Sequence, residues 1–308
     1  MISYFKTIDG RIKKIEHYEV GCWINCIAPD SNEVQRLIDD FQIDPDFLRA
    51  SLDEEESSHI DMEDGNTLII LDIPIAKKSE KNITYHTMPI GIMLTEKNVI
   101  TVCLNDNTVI GELSEGIFRN IYTNLRTQFV LNIILRASVK YLQYLKQIDK
   151  ISDHVERQLK KSMENNDLLQ LLEVEKSLVY FSSSLKANEA TLEKIMRGRR
   201  IKLYEEDQEL LDDVLIEVRQ AIEMSNIHIN ILNSTMDTMG SIISNNLNVV
   251  MKILASITII MSVPTIISGI WGMNVDLPFQ ERFPWFPWML IGVFTLITIF
   301  ILKKKKLL

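Results

Sequence analysis

The stretch ILASITIIMSVPTIISGIWGMNV, residues 253–275, runs 23 positions without a charged side chain. A second uncharged run, residues 283–302, adds 20 more. A bilayer core takes about 20 apolar residues as helix, so each run is long enough to cross one. Only residues 276–282 separate them, which makes the pair a hairpin. Lys303, Lys304, Lys305 and Lys306 follow the second run directly, and so dense a basic anchor stays on the cytoplasmic side. Two crossings return the chain to the side it left, so both termini are expected in the cytoplasm, the chain being a multi-pass protein of the cell membrane. Trp271, Trp285 and Trp288 gather at the other interface, as an aromatic belt would. Nothing else in the chain could cover two such helices in a soluble protein.

Within the first run, Thr258, Ser262, Thr265 and Gly269 recur at intervals of 4, 3 and 4, which places them on one helical face. Ile257, Ile259, Ile260, Met261, Ile266 and Ile267 occupy the other faces, suited to lipid or to packing. A small, polar stripe in a span has two explanations, a close helix–helix seam or the wall of a pore. Taken alone, the spacing leans to the seam. Pro264 removes a backbone donor and should bend or loosen the helix locally.

Upstream, residues 205–270 read as one helix. Leu211, Val214, Val218, Ile222, Ile229, Leu232, Met236, Met239, Ile243, Leu247, Val250 and Leu254 keep a 3–4 spacing, with Ser225 as the one polar interruption. Such a repeat favours bundling, including with copies of itself. At 1.5 Å per residue this helix is roughly 100 Å long, enough to link a cytoplasmic event to the membrane. A generic coiled-coil stalk has the same periodicity. Two more helical patterns, 127–163 and 167–196, precede it, with the break at Asn165-Asn166 and Asp167 as N-cap. The run Arg197-Gly198-Arg199-Arg200 reads as a solvated connector.

The first 105 residues are α/β in character. Tyr18, Val20, Cys22, Ile24 and Cys26 alternate with more polar neighbours, predicting a half-buried strand. Residues 68–75 predict another, with pairing expected to stop near Pro74. Residues 88–95 and 99–104 flank Glu96-Lys97-Asn98 as a hairpin. Asp30 with Glu33 has the form of a capping box, and Asp44-Pro45 puts proline at a helix's first turn.

Charge and missing chemistry narrow the function. Of 308 residues, 33 are Lys or Arg and 42 Asp or Glu, a net charge of −9. Residues 1–248 carry 27 basic and 40 acidic side chains, or −13, whereas residues 249–308 carry 6 and 2, or +4. So acidic a body argues against nucleic acid as a partner; cations suit it. Three cysteines, Cys22, Cys26 and Cys103, are too few for a disulfide scaffold, and no signal-peptide pattern opens the sequence, so a reducing compartment is expected. Gly111 and Gly116 have phosphate-loop spacing, but Ile117 and Phe118 stand where Lys and Ser/Thr are required. The histidines are scattered; His17 beside Cys22 and Cys26 is expected to point away from both cysteines along a strand. The run Asp53-Glu54-Glu55-Glu56 reads as a solvated face. No enzyme is expected.

Ile270-Trp271-Gly272-Met273-Asn274 closes the first run with Gly-Met-Asn. That tripeptide at the end of one helix of a C-terminal hairpin, followed by a second span and a lysine-rich tail, resembles the CorA family of magnesium channels. The resemblance extends along the whole chain. It implies an α+β cytoplasmic domain of α/β/α sandwich type, then long helices and a two-helix transmembrane hairpin, assembled as a funnel-shaped homopentamer whose first spans line a pore. The corresponding boundaries are 1–126 for the α/β domain, 127–204 for a helical layer, 205–252 for the stalk, 253–275 and 283–302 for the spans, 276–282 for the outer loop and 303–308 for the basic tail. The resemblance turns the stripe toward a pore reading. It makes Gly272, Met273 and Asn274 the selectivity signature and Asn248, Met251, Leu254, Thr258, Ser262, Thr265 and Gly269 the pore wall, with Leu254 and Met251 as an apolar constriction. The four lysines resemble a basic collar around the inner end. Asp276 and Glu281 keep only a role in attracting cations, because the outer loop departs from the common Met-Pro-Glu-Leu. Many relatives also carry Met-Pro where this chain has Ser262-Val263, so the middle ring is a hydroxyl here.

The implied cargo is Mg²⁺, with Co²⁺ and Ni²⁺ beside it, moving down the membrane potential through a channel that cytoplasmic Mg²⁺ closes. Asp213 falls where relatives place a sensing aspartate, with Asp212 adjacent; Asp72, Glu80 and the acidic run are all conceivable partners. A zinc transporter of the same superfamily is the nearest rival, though its usual signature has Val in place of Met273. A membrane-tethered coiled-coil regulatory protein that conducts nothing is the rival from another class.

Overall fold

The computed structural model describes residues 1–78, 83–162, 165–197, 201, 203–273 and 285–307, with the backbone alone for 160–162 and 165. Two compact units result, Met1–Asn233 and Ser234–Leu308.

The first unit is built on a seven-stranded sheet in the order β2-β1-β3-β7-β6-β5-β4. Its strands are β1 (Ile2–Ile8), β2 (Arg11–Ile15), β3 (Trp23–Ile27), β4 (His59–Glu63), β5 (Asn66–Lys78), β6 (Ile83–Leu94) and β7 (Val99–Cys103). All neighbours are antiparallel except β3 and β7, whose parallel pairing needs the long crossover that the intervening elements provide. Helices α1 (Ser31–Phe41) and α2 (Pro45–Ser51) cover one face. Ile24, Cys26, Ile70, Met93, Ile100 and Val102 meet Leu37, Phe47 and Leu48 there. The helices α3 (Thr108–Ser114), α4 (Arg126–Ser162) and α5 (Asn165–Met196) lie on the other side. This is the sandwich expected, with helices on both faces of a mixed sheet.

Local signals place the short helices as read. The Asp30 carboxylate accepts from the Glu33 amide at 2.8 Å while the Glu33 carboxylate accepts from the Asp30 amide at 3.2 Å, so two orphan donors are satisfied reciprocally. Asp44 accepts from the Asp46 amide, with Pro45 in the first turn. On the sheet, Gly91 is required by packing: a Cβ there would stand 1.9 Å from the Ser51 hydroxyl of α2.

Three strand expectations need correction. Tyr18 to Cys22 are not extended; Gly21 adopts φ +78° and the Cys22 amide donates to the Glu19 carbonyl. That turn, possible because glycine tolerates the left-handed region, starts β3 only at Trp23. His17 therefore lies exposed outside any strand. Nor is β3 half-buried: Trp23, Ile24, Asn25 and Cys26 are all buried, because the strand is central and covered on both faces. Pairing also continues through Pro74, which sits opposite Thr87 in a ladder running to Lys78. β4 ends opposite Ile70, leaving β5 one-sided beyond it, where a missing amide is tolerated. Asn188 of α5 replaces the missing strand, accepting from the Asp72 amide at 3.0 Å and donating to the Asp72 carbonyl at 2.8 Å.

The helix α6 (Glu205–Trp271) is 67 residues long. In the first unit it joins α5 through polar contacts. Ser225, fully buried, donates to the Leu178 carbonyl at 3.0 Å, and Arg219 bridges Glu189 and Glu193. The polar interruption in the apolar repeat is thus a satisfied donor, as burial demands. His228 pairs with Asp149 of α4 at 3.2 Å. The second unit holds the rest of α6 and α7 (Phe286–Lys304). α6 stays helical through Pro264.

Candidate ion pathway

Along the apolar part of α6 one face is covered. Ser256 (2 % exposed) and Ile267 (9 % exposed) are buried, and Ile260, Val263, Pro264 and Trp271 are half-buried. α7 covers that face. At one end the Trp271 and Phe286 rings lie 6.1 Å apart; at the other the Ser256 hydroxyl donates to the Leu307 carbonyl at 2.8 Å. On α7 the less exposed positions are Phe286, Pro287, Leu290, Ile291, Thr295, Thr298, Ile299 and Leu302, the 3–4 spacing of a helix packed along one side.

Thr258, Ser262, Thr265 and Gly269 are all exposed. On a 3.6-residue helix their mean direction is roughly 180° from the face that α7 covers. The stripe is therefore not the seam of this hairpin. Gly269 agrees: among the described residues a Cβ added there meets nothing within 4 Å, so its small size serves no contact with them. Met251 and Leu254 continue the stripe toward the start of the span and are exposed, as is Asn248.

The hydroxyls on this face are oriented alike. Thr258 donates to the Leu254 carbonyl at 2.9 Å, Ser262 to Ile259 at 2.7 Å and Thr265 to Met261 at 3.0 Å. Each hydroxyl hydrogen is engaged with the helix, so the oxygens present lone pairs outward. Gly272 and Met273 lie just past α6, where the Gly272 amide donates to the Ser268 carbonyl at 2.9 Å. Met273 is exposed, and a Cβ on Gly272 would stand 3.2 Å from that same carbonyl. Asn274, Asp276 and Glu281 lie outside the described residues, as does Glu80. Lys303, Lys304, Lys305 and Lys306 are exposed at the end of α7.

In the first unit Asp212 and Asp213 are exposed neighbours on α6, between buried Leu211 and Val214. Asp72 is only half-exposed and lines a cavity of about 380 Å³ with Glu54, Glu55, Glu56, Lys77 and His86. Burial pushes its carboxyl above the usual carboxylate range, against a lowering hydrogen bond from Ser184. Among the described residues, no group of three or more His, Cys, Asp or Glu side chains is placed to hold a metal ion within one chain. The thiols are buried and unpaired; burial raises Cys26 to about 11 and Cys103 to about 12, which keeps both protonated.

Residues 18–304 match the family described as CorA-like Mg²⁺ transporter protein. This chain belongs to the CorA family. The cobalt/magnesium transport protein CorA of Methanocaldococcus jannaschii is 28 % identical over 290 residues, 92 % of this chain and 90 % of that one. Its namesake in Thermotoga maritima is 25 % identical over 310 residues, covering 98 % and 88 %. The complete solved structure of the CorA magnesium transporter from Methanocaldococcus jannaschii aligns with TM-score 0.85 at 25 % identity, over 98 % of this chain and 97 % of that one. CorA membership accounts for the sheet, the long helices and the two candidate spans together.

Ser256 and Leu307 lie outside both the stripe and the lysine run. Ser256 begins the series 256, 260, 263, 267, 271, whose 4-3-4-4 spacing marks the covered face as clearly as the stripe marks its own.

Proposed function

We propose that this chain is one protomer of a homopentameric channel passing Mg²⁺ into the cytoplasm, with Co²⁺ and Ni²⁺ as further cargo. The observation that carries the proposal is the stripe of Thr258, Ser262, Thr265 and Gly269 opposite α7, its hydroxyl hydrogens all engaged with the helix. Mg²⁺ gives up water reluctantly, and the hydrogens of its coordinated waters point outward. A wall of acceptors suits that ion and a wall of donors does not. Asn274 would offer a ring of amide oxygens to the same hydrated ion, binding it through water and loosely enough to let it leave. Met251 and Leu254 form an apolar narrowing that can close by dewetting. Both termini lie in the cytoplasm, Asp276 and Glu281 attract cations outside, and the lysines ring the inner end. Two charges falling through 100 mV release roughly 4.6 kcal/mol, so no other energy source is needed.

Purified protein in liposomes loaded with a Mg²⁺ indicator should admit the ion, and Asn274→Ala should abolish entry. Parallel runs with Zn²⁺ and Co²⁺ rank the cargo: Zn²⁺ entry without Mg²⁺ entry favours the zinc rival. Vesicles that admit none of the three favour a tether.

Closure by cytoplasmic Mg²⁺ belongs to the same proposal. Bodies carrying −13 each repel one another, and ions bound between them would offset that repulsion. Since one chain holds no cluster of its own among the described residues, Asp212 and Asp213 would share an ion with acids of a neighbour. Replacing both with Ala should weaken the protection against protease that Mg²⁺ confers. An unchanged Mg²⁺ titration removes them as sensors.

A further inference from the structure

The four lysines that close α7 and follow it are not a loose tail. Lys306 adopts φ +53°, and its amide donates to the Lys303 carbonyl at 3.1 Å while the Leu307 amide donates to Leu302, also at 3.1 Å. These are the two bonds of a Schellman cap, normally closed by glycine in the left-handed position. A lysine there is strained, so something else must favour the turn. Leu302 is buried beneath it. The Leu307 carbonyl, carried round by the turn, accepts from Ser256 of α6 at 2.8 Å, and the same hydroxyl also reaches the Lys252 carbonyl at 2.8 Å, a three-centre bond. Ser256 is 2 % exposed although it stands only two residues from exposed Leu254. The two side chains point to nearly opposite sides of the helix.

We infer that Ser256 is a positioning residue for the lysine collar. Its bond to Leu307 fastens the basic turn to the outer side of the same helical turn whose inner side, at Leu254, narrows the pathway. The lysines then stay at that level and move with α6. Released, they can swing toward headgroups, and the positive barrier at the inner mouth falls. This inference rests on the channel reading above for its consequence in flux, but not for the fastening itself.

Two measurements on the full-length protein separate the parts. Trypsin cuts after lysine only where the backbone can extend, so release of the C-terminal peptide reports opening of the turn. Ser256→Ala should speed that release about fivefold, the factor expected from losing one net hydrogen bond. Ser256→Thr restores the hydroxyl and should match the unaltered protein. Lys306→Gly, which removes a charge but suits the left-handed position, should keep the remaining lysines protected. In liposomes Ser256→Ala should raise Mg²⁺ flux about threefold, since a displaced charge ring weakens the local field. Equal cleavage of Ser256→Ala and unaltered protein would overturn the fastening; faster cleavage with unchanged flux would overturn the positioning role. No flux from unaltered protein would instead sink the channel reading, with the cleavage arm still deciding the fastening.

Discussion

Thr265→Lys should lower Mg²⁺ flux at least about a hundredfold, the factor that roughly 2.7 kcal/mol of added barrier gives. Thr265 is exposed on the face of α6 opposite α7; in the proposed pentamer five copies would set five ammonium groups around one axis. No acid lies between residues 253 and 275 to neutralise them. The passing ion is itself doubly positive, and in a low-dielectric surround the repulsion is weakly screened. Thr265→Val tests the hydroxyl by itself: shape is kept, the acceptor is lost, and flux should fall about tenfold, within the range for losing a polar contact to a charged group. Ile266→Val, on a neighbouring face, should conduct normally. Particle mass in detergent establishes that each variant still assembles. Full flux from an assembled Thr265→Lys channel would place the stripe against lipid or a neighbouring helix.

The second large effect lies in the α/β unit. Trp23 is fully buried, its ring 4.9 Å from Phe5 and 5.4 Å from Phe129 of α4. Its Nε1–H donates to the Thr101 hydroxyl at 2.8 Å, which in turn donates to Asn25 at 2.9 Å. Trp23→Ala empties this space and deprives Thr101 of its donor, so unfolding should become easier by about 3–5 kcal/mol. Urea denaturation followed by circular dichroism measures the change. A loss below about 1 kcal/mol, the ordinary size for an undistinguished site, would mean the cavity collapses or the ring contributes little.

Which parts of this architecture the sequence discloses follows from where the information is local. α4, α5 and α6 are long and periodic, and the capping box at Asp30 and Glu33 needs only four residues to be recognised. The β1–β2 and β4–β5 hairpins carry a local signal too. Asp9-Gly10 and Asp64-Gly65 sit at their tips with positive φ at both positions, the two-residue turn for which Asp-Gly is a strong signal. Alternation overstates β3, because apolar positions at Tyr18 and Val20 continue the pattern across Gly21, where the backbone turns. Pairing beyond Pro74 depends on where β4 stops and on Asn188, which is 114 residues distant in sequence. No local pattern contains that. In the spans, the stripe was visible, but whether it faced α7 depended on the angular position of a second helix. The Ser256–Leu307 tie, 51 residues apart, is hidden for the same reason.

One property of the first span bears on acidity. From residue 253 to 275 it contains no Asp, Glu, His, Cys, Tyr, Lys or Arg, so no side chain on its surface exchanges a proton in the physiological range. A conduit lined this way keeps the same lining whether the medium is acidic or alkaline. Any response of transport to protons must then originate outside this span.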